Sequence, residues 1–127
     1  MRLVDANILL YAVDETSPFH GRLRAWLEDR LSEAEPVGFA WVALLAFIRI
    51  STRGNVMTRP LTPAEALGIV ENWLSQPNVI VLHPTDRHAA LLRGLLKESG
   101  TGGNLTTDAH LAALAIEYGA DLCSLDG

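Results

Sequence analysis

Four short apolar segments alternate along this chain with longer segments whose apolar residues recur at helical spacing, and this alternation constrains the fold more than any other feature. The short segments are residues 3–4, 36–40, 79–82 and 122–125. Strands separated by helices of about 10–15 residues pair in parallel through crossover connections. Because the short segments are continuously apolar, helices should cover both faces of the sheet. We therefore expect an α/β protein, a three-layer α/β/α sandwich around a mostly parallel sheet.

Two of the intervening segments begin with helix-start signals. Residues 17–18 are a serine and a proline, which we interpret as a cap followed by proline at the first helical position. Residues 62–65 read Thr-Pro-Ala-Glu, which predicts a capping box. Trp26, Trp41 and Trp73 fall at core positions of the helical pattern, so the predicted core includes all three.

Length and composition indicate one cytoplasmic globular domain over residues 1–127, with 49% hydrophobic and 20% charged residues. Cys123 is the only cysteine, which excludes an intramolecular disulfide and a Cys-rich zinc site. No apolar run approaches the ~20 residues that span a bilayer, and no signal-peptide pattern follows Met1. The net charge of −5 argues against coating nucleic acid by charge alone, although it allows a nuclease whose acids bind a metal.

Three aspartates are candidates for a catalytic site. Asp5 ends the first predicted strand and Asp126 ends the last, and parallel sheets bind ligands beyond the carboxyl ends of their strands. Asp108 falls in the first turn of the helix that Thr106 or Thr107 should open, where its charge suits the helix dipole. The topology can therefore bring all three carboxylates to one edge of the sheet.

The residue types of this candidate site indicate a metal centre. Clustered carboxylates repel one another unless a cation or protons relieve them. Oxygen ligands without cysteine or a helical histidine pair select Mg²⁺ or Mn²⁺, and such an ion supports phosphodiester hydrolysis. The residues alone leave a second interpretation open, in which Asp5 caps a helix, Asp108 is an ordinary first-turn acid and Asp126 belongs to a turn.

Three further residues are candidates for contacts beside the site. His110 follows Asp108 by two residues and has either a role beside the carboxylates or an ordinary surface or capping role. Arg49 and Arg53 surround a polar loop, where they either contact an RNA backbone or form only a solvated rim.

At these residues the sequence resembles the PIN-domain toxins of the VapC type, the ribonuclease half of a bacterial toxin–antitoxin pair. The resemblance covers the whole chain, and its middle part is most similar to a subgroup abundant in mycobacteria. Four segments carry it: 3–11 (LVDANILLY), 41–49 (WVALLAFIR), 103–115 (GNLTTDAHLAALA) and 122–126 (LCSLD).

This resemblance implies a Mg²⁺- or Mn²⁺-dependent ribonuclease whose metal is held by Asp5, Asp108 and Asp126, with Asn7 beside them as a second-shell or water-holding residue. Many family members carry a glutamate where this chain has Phe47. The site then has three acids, and the number of metal ions, one or two, stays open. The family usually continues beyond the position of Gly127, so we expect the sequence to lack a C-terminal tail.

The resemblance also implies a cognate antitoxin and a homodimer. Two predicted helices carry more apolar residues than we expect one small domain to bury, which predicts an exposed patch for a partner. An acidic cleft would in addition attract an antitoxin arginine. The patch residues are Phe19, Leu23, Trp26 and Leu27 on the first helix and Ile69, Trp73 and Leu74 on the second.

Other functions on similar sheets fit less well. A haloacid-dehalogenase-like phosphatase needs an acid two residues after the first, where this chain has Asn7. A phosphoryl-accepting receiver needs a lysine at a late strand end, whereas Lys97, the only lysine, lies in a predicted helix. The alternative that stays open is a catalytically weak PIN-fold module that binds RNA or protein.

Overall fold

The computed structural model describes residues 1–99 and 104–125, and in these ranges four strands alternate with six helices. All four predicted strands are present, each as three residues. The last begins at Asp121, one residue earlier than predicted, and ends at Cys123. The elements in chain order are β1 (Arg2–Val4), α1 (Ala6–Val13), α2 (His20–Leu31), β2 (Val37–Phe39), α3 (Trp41–Ser51), α4 (Pro63–Leu74), β3 (Val79–Val81), α5 (His88–Ser99), α6 (Asn104–Tyr118) and β4 (Asp121–Cys123).

The strands form one sheet in the order β3-β2-β1-β4, and every pairing among the described strands is parallel. The predicted parallel α/β architecture is therefore confirmed. Since parallel strands run in the same direction, the carboxyl ends of β1, β2 and β4 lie at one edge of the sheet. Asp5, Ala40 and Ser124 follow these strand ends directly.

The core consists of two apolar clusters, one on each face of the sheet. Successive side chains of a strand point to opposite faces, and in β1 Val4 belongs to the larger cluster while Leu3 belongs to the smaller. Helices α1, α2, α3 and α4 contribute to the larger cluster, and α6 contributes half of the buried residues of the smaller one. In the part of the chain that is described, none of the helices has the length and apolar character needed to cross a membrane.

The start of α4 is the predicted capping box. The backbone N–H of Glu65 donates to Oγ1 of Thr62 at 3.1 Å, and the backbone N–H of Thr62 donates to Oε1 of Glu65 at 2.9 Å. Pro63 occupies the first helical position, where a missing N–H costs nothing.

The predicted start of α2 at residues 17–18 is wrong. The Oγ atom of Ser17 accepts a hydrogen bond from the backbone N–H of Phe19 at 3.1 Å, which forms a local serine turn. The helix begins only after this turn, at His20. The competing local hydrogen bond therefore delays the helix by two residues.

The predicted start of α6 is also wrong. The helix begins at Asn104, so Asp108 is its fifth residue and lies in the second turn, where the dipole argument no longer applies. Thr106 and Thr107 therefore lie inside the helix rather than before it.

Two predicted apolar surfaces also differ from the structure. Trp41 is 41% exposed because α3 buries its opposite face, so the predicted core position of Trp41 is wrong. Of the other two tryptophans, Trp73 is buried and Trp26 is half-buried. The predicted partner patch is mostly core: Leu23 and Leu27 are buried, and Phe19 is its one exposed member among these described residues. The helices bury these side chains against α1 and the sheet.

Candidate active site

Two hydrogen bonds fix Asp5 at the carboxyl edge of the sheet, one through its backbone N–H and one through its side chain. Its N–H donates to the carbonyl oxygen of Cys123 in β4 at 2.9 Å, and its Oδ1 accepts from the backbone N–H of Ala6 at 2.7 Å. Asp5 is thus the N-cap of α1, as the second interpretation of the sequence proposed. This cap uses only one carboxylate oxygen, so capping and metal binding do not exclude each other.

Asp5 and Asp108 line one cleft of about 380 Å³. Asp5 enters it from the end of β1, half-buried, and Asp108 enters it from α6, exposed to solvent. The topology therefore brings together two of the three predicted acids, which are 103 positions apart in the chain. The remaining lining residues are Ala6, Asn7, Leu10, Tyr11, Ala46, Phe47, Arg49, Ile50 and Thr107.

Asn7 connects this cleft to the end of β4. Its side chain lines the cleft, and Nδ2 donates to Oγ of Ser124 at 3.1 Å. The bond orders the first residue after β4 relative to α1. Asp126, the third predicted acid, is two residues further on and lies outside the described residues.

Phe47 forms part of the cleft wall, at the position where the sequence resemblance implies a glutamate in many relatives. Its side chain has no exposed surface, and its ring contacts that of Trp73 with centroids 4.9 Å apart and planes tilted by 60°. The position is therefore continuous with the apolar core, and it gives the cleft a low-polarity wall instead of another carboxylate.

The two candidate arginines occupy different places. Arg49, exposed on α3, lines the cleft together with Asp5 and Asp108. Arg53 is exposed in the turn after α3 and is not among the residues that line the cleft. Arg49 thus lies beside the two carboxylates, where its guanidinium can donate to an anionic group that enters the cleft.

His110 lies outside the cleft lining, in a polar cluster between α5 and α6. Its Nδ1 is 2.9 Å from Nε2 of His88, and Nδ1 of His88 is 2.6 Å from Oε2 of Glu117. The carboxylate can only accept, so His88 donates from Nδ1, and a neutral His88 then accepts from His110 at Nε2. His110 thus lies in this polar cluster and not among the residues that line the carboxylate cleft, and its role beside the carboxylates stays a prediction.

This cluster shifts the pKa values of its members. Burial would raise the pKa of Glu117, but hydrogen bonds from the His88 ring and from the side chain and backbone of Thr85 outweigh it and lower the pKa to about 2. Burial, together with the neighbouring His88, lowers the pKa of His110. The cluster therefore holds a carboxylate and two imidazoles in a fixed arrangement that joins α5 to α6.

Two cleft residues with polar side chains, Tyr11 and Thr107, were missed by the sequence reasoning. Tyr11 is four residues after Asn7 on α1, and residues four apart share one face of a helix. Thr107 precedes Asp108 on α6 and was considered only as a helix start. The helical spacing from Asn7 was the signal that could have identified Tyr11.

The donor set of the cleft fits a hard divalent ion in part. Within residues 1–99 and 104–125, no three side chains of the His, Cys, Asp and Glu types are gathered so as to hold a metal ion. Mg²⁺ commonly takes only one or two protein carboxylates and completes its shell with waters and substrate phosphate. Asp5 and Asp108 line the same cleft and carry oxygen donors, the type that Mg²⁺ and Mn²⁺ prefer.

Residues 2–127 match the model of the PIN domain family. Among curated proteins, Ribonuclease VapC37 of Mycobacterium tuberculosis is 49% identical over 126 residues, which cover 99% of this chain and 88% of that protein. Ribonuclease VapC33 of the same species is 44% identical over 126 residues, which again cover 99% of this chain and 88% of that protein. The chain therefore belongs to the PIN-domain family, in the group that contains the VapC proteins.

Solved structures agree with this assignment at the level of the fold. VapBC2 from Rickettsia felis, bound to a DNA fragment from their promoter, superimposes with a TM-score of 0.64 over 97% of this chain and 85% of that one, at 17% identity. FitAcB from Neisseria gonorrhoeae gives a TM-score of 0.57 over 98% of this chain and 86% of that one, also at 17% identity. The resemblance found in the sequence is confirmed.

Proposed function

We propose that this chain is a metal-dependent endoribonuclease that acts in the cytoplasm as the toxin of a toxin–antitoxin pair. The observation that carries the proposal is the single cleft that Asp5 and Asp108 share at the carboxyl edge of the sheet. Relatives of 44–49% identity that are named as ribonucleases support the choice of RNA as substrate.

In this proposal Asp5, Asp108 and Asp126 hold a Mg²⁺ or Mn²⁺ ion. Such an ion, when bound, lowers the pKa of a water and polarises a phosphate oxygen, which is the chemistry of phosphodiester hydrolysis. Asp5 is well suited to this role because its backbone and Oδ1 are already fixed, which leaves Oδ2 oriented without further ordering.

The remaining cleft residues position the substrate. Arg49 supplies a guanidinium that can donate two hydrogen bonds to a phosphate, and it stands on a helix rather than on a loop. Asn7 supports the edge of the site through its bond to Ser124. The buried Phe47 excludes water from one wall, which strengthens electrostatic interactions in the cleft.

The proposal includes two protein partners. A cognate antitoxin would inhibit the enzyme, and an arginine of that antitoxin could donate to the carboxylates of Asp5 and Asp108 and displace the metal. The homodimer stays a prediction, and sedimentation at micromolar concentration tests it. An arginine-bearing peptide that fails to compete with Mg²⁺ would contradict this mode of inhibition.

Cleavage of RNA by the purified chain in the presence of Mg²⁺ tests the proposal. Replacing Asp108 with asparagine removes a metal oxygen from an exposed position and should lower the cleavage rate about 10²- to 10³-fold without unfolding. Asp86→Asn, an exposed aspartate before α5, is the matched control and should cleave at the wild-type rate. Cleavage by Asp108→Asn at more than a tenth of the wild-type rate under saturating Mg²⁺ would contradict the assignment and favour the non-catalytic binding module.

A further inference from the structure

A second depression of about 340 Å³ adjoins the carboxylate cleft. Its lining residues are Asn7, Tyr11, Phe19, Arg22 and Leu125. Asn7 and Tyr11 line both depressions, so the two are neighbours along α1. A ligand that enters the carboxylate cleft can therefore extend along α1 toward the start of α2.

The wall of this second depression carries a pair of aromatic rings. The rings of Tyr11 and Phe19 have centroids 5.5 Å apart and planes tilted by 58°. Phe19 is 42% exposed, although the apolar residues that follow it on α2, Leu23 and Leu27, are buried. An aromatic residue that the core does not use, beside a proposed active site, is available to a ligand.

The backbone holds these two rings in place. The Oγ atom of Ser17 accepts from the N–H of Phe19, and Nδ1 of His20 donates to the carbonyl oxygen of Tyr11 at 3.1 Å. The second bond joins the start of α2 to α1. Both rings are thus presented by ordered backbone, which lowers the entropy cost of binding.

Arg22 brings a positive charge to the same place. Its guanidinium carbon lies 5.8 Å from the centroid of the Phe19 ring, and its side chain is exposed. Arg22 lines the second depression and Arg49 lines the carboxylate cleft, so each of the two neighbouring depressions has an arginine. An anionic, base-bearing chain matches this arrangement of charge and aromatic surface.

We infer that Tyr11, Phe19 and Arg22 form a subsite that binds one base of single-stranded RNA beside the phosphate in the carboxylate cleft. The inference rests on the proposed ribonuclease function. The base stacks on the exposed Phe19 ring, and Arg22 contacts the adjoining phosphate or stacks over the base. Bases within a duplex do not present a free face to a protein ring, so the subsite selects unpaired RNA.

Cleavage of a fluorescein-labelled single-stranded RNA of mixed sequence tests the stacking role. Phe19→Ala should lower kcat/KM roughly 5- to 100-fold, mainly through KM, because it removes one base–aromatic stack. Phe19→Tyr retains the ring and should stay within about threefold of the wild type. Trp41→Ala is the matched control, since Trp41 is equally exposed but lies on α3, and it should cleave normally.

Salt dependence tests the role of Arg22. Affinity for a single strand falls as salt rises, and loss of one phosphate contact makes the negative slope of log affinity against log salt shallower by about 0.7. Arg22→Gln should show this change, measured by anisotropy in the Asp108→Asn background so that the RNA stays intact. Arg24→Gln, an exposed arginine of α2 that pairs with Glu28 at 3.0 Å, should retain the original slope.

The outcomes separate this inference from the proposed function. A wild-type chain that neither binds nor cleaves RNA overturns both. Normal cleavage and binding by Phe19→Ala, or an equal loss in Trp41→Ala, overturns the subsite alone. If Phe19→Ala retains its RNA kinetics but loses affinity for an inhibitory protein partner, the surface docks protein and the inference is wrong.

Discussion

The Oδ1 atom of Asp5 accepts a hydrogen bond from the backbone N–H of Ala6 at 2.7 Å, so the first predicted metal ligand is also the cap of the first helix. The two roles use different properties of the side chain. Capping needs an oxygen acceptor of the right length, whereas metal binding needs the negative charge. Substitutions that keep one property and remove the other can therefore separate them.

Asp5→Asn should abolish RNA cleavage while it preserves stability. Asparagine caps helices as well as aspartate, but it removes the charge that the metal requires. We expect a rate loss of about 10²- to 10³-fold, and a melting temperature without metal that is equal to or above that of the wild type, because repulsion with the neighbouring acids is relieved. Cleavage assays and thermal unfolding without metal measure the two effects.

Asp5→Ala is the matched comparison. It loses the cap as well, so the free energy of unfolding should fall by about 1 kcal/mol relative to Asp5→Asn. Equal melting temperatures for the two variants would show that the cap contributes nothing. A lower melting temperature for Asp5→Asn than for the wild type would contradict a cluster of repelling carboxylates.

Sequence patterns predicted the elements that depend on local chemistry. The strands were found because they are continuously apolar, and the cap of α4 because Thr62 and Glu65 are three residues apart. The placement of Asp5 followed from its position directly after a strand. Each of these features is determined by neighbours within a few residues, and such neighbours are visible in the sequence.

Features that depend on packing between distant segments were not predicted. Glu117, His88 and His110 meet only because α5 and α6 pack together, and nothing in their spacing indicates a contact. Trp41 follows the helical period of the core, yet α3 buries its other face. The contact between Tyr11 and Phe19 likewise joins two helices across a turn. Tertiary packing decides these positions.

A larger residue at position 38 should lower the stability of the fold, because β2 passes close to a buried side chain at Gly38. A Cβ atom at this position would lie 2.9 Å from Cδ1 and 3.1 Å from Cγ of Leu82, which is itself buried. Gly38→Ala should therefore lower the free energy of unfolding by about 1–3 kcal/mol through overpacking. Chemical denaturation with a linear extrapolation measures the change.

Gly21→Ala is the control for the same substitution. Gly21 lies in α2 and a Cβ there would meet no atom within 4 Å, so alanine should stabilise the protein by about 0.5–1 kcal/mol. The two variants thus have opposite expected signs. Destabilisation of similar size in both would contradict the close approach of Leu82 to β2.

Glu117→Gln should weaken the dependence of the free energy of unfolding on pH under acidic conditions. The pKa of Glu117 is lowered from 4.5 to about 2, so the folded state releases this proton more readily than the unfolded state does. The contribution of Glu117 to the free energy of unfolding is complete above pH 4.5 and is lost as the pH falls toward 2. The difference in the free energy of unfolding between wild type and Glu117→Gln should shrink across this range. Glu71→Gln, an exposed carboxylate of α4, should show no such change.

His110→Gln should change the dependence of the free energy of unfolding on pH in a higher pH range than Glu117→Gln does. Burial, with the nearby His88, lowers the pKa of His110 below 6.5, so the unfolded state binds this proton first as the pH falls. Wild-type stability should therefore decline from near pH 6.5 downward until the folded His110 also takes up its proton, and the variant should lack this decline. Urea denaturation at closely spaced pH values measures it, with His83→Gln, an exposed histidine, as the control. An identical slope in His110→Gln and wild type would contradict the lowered pKa of His110. A loss of RNA cleavage with stability unchanged would favour a role of His110 beside the carboxylates.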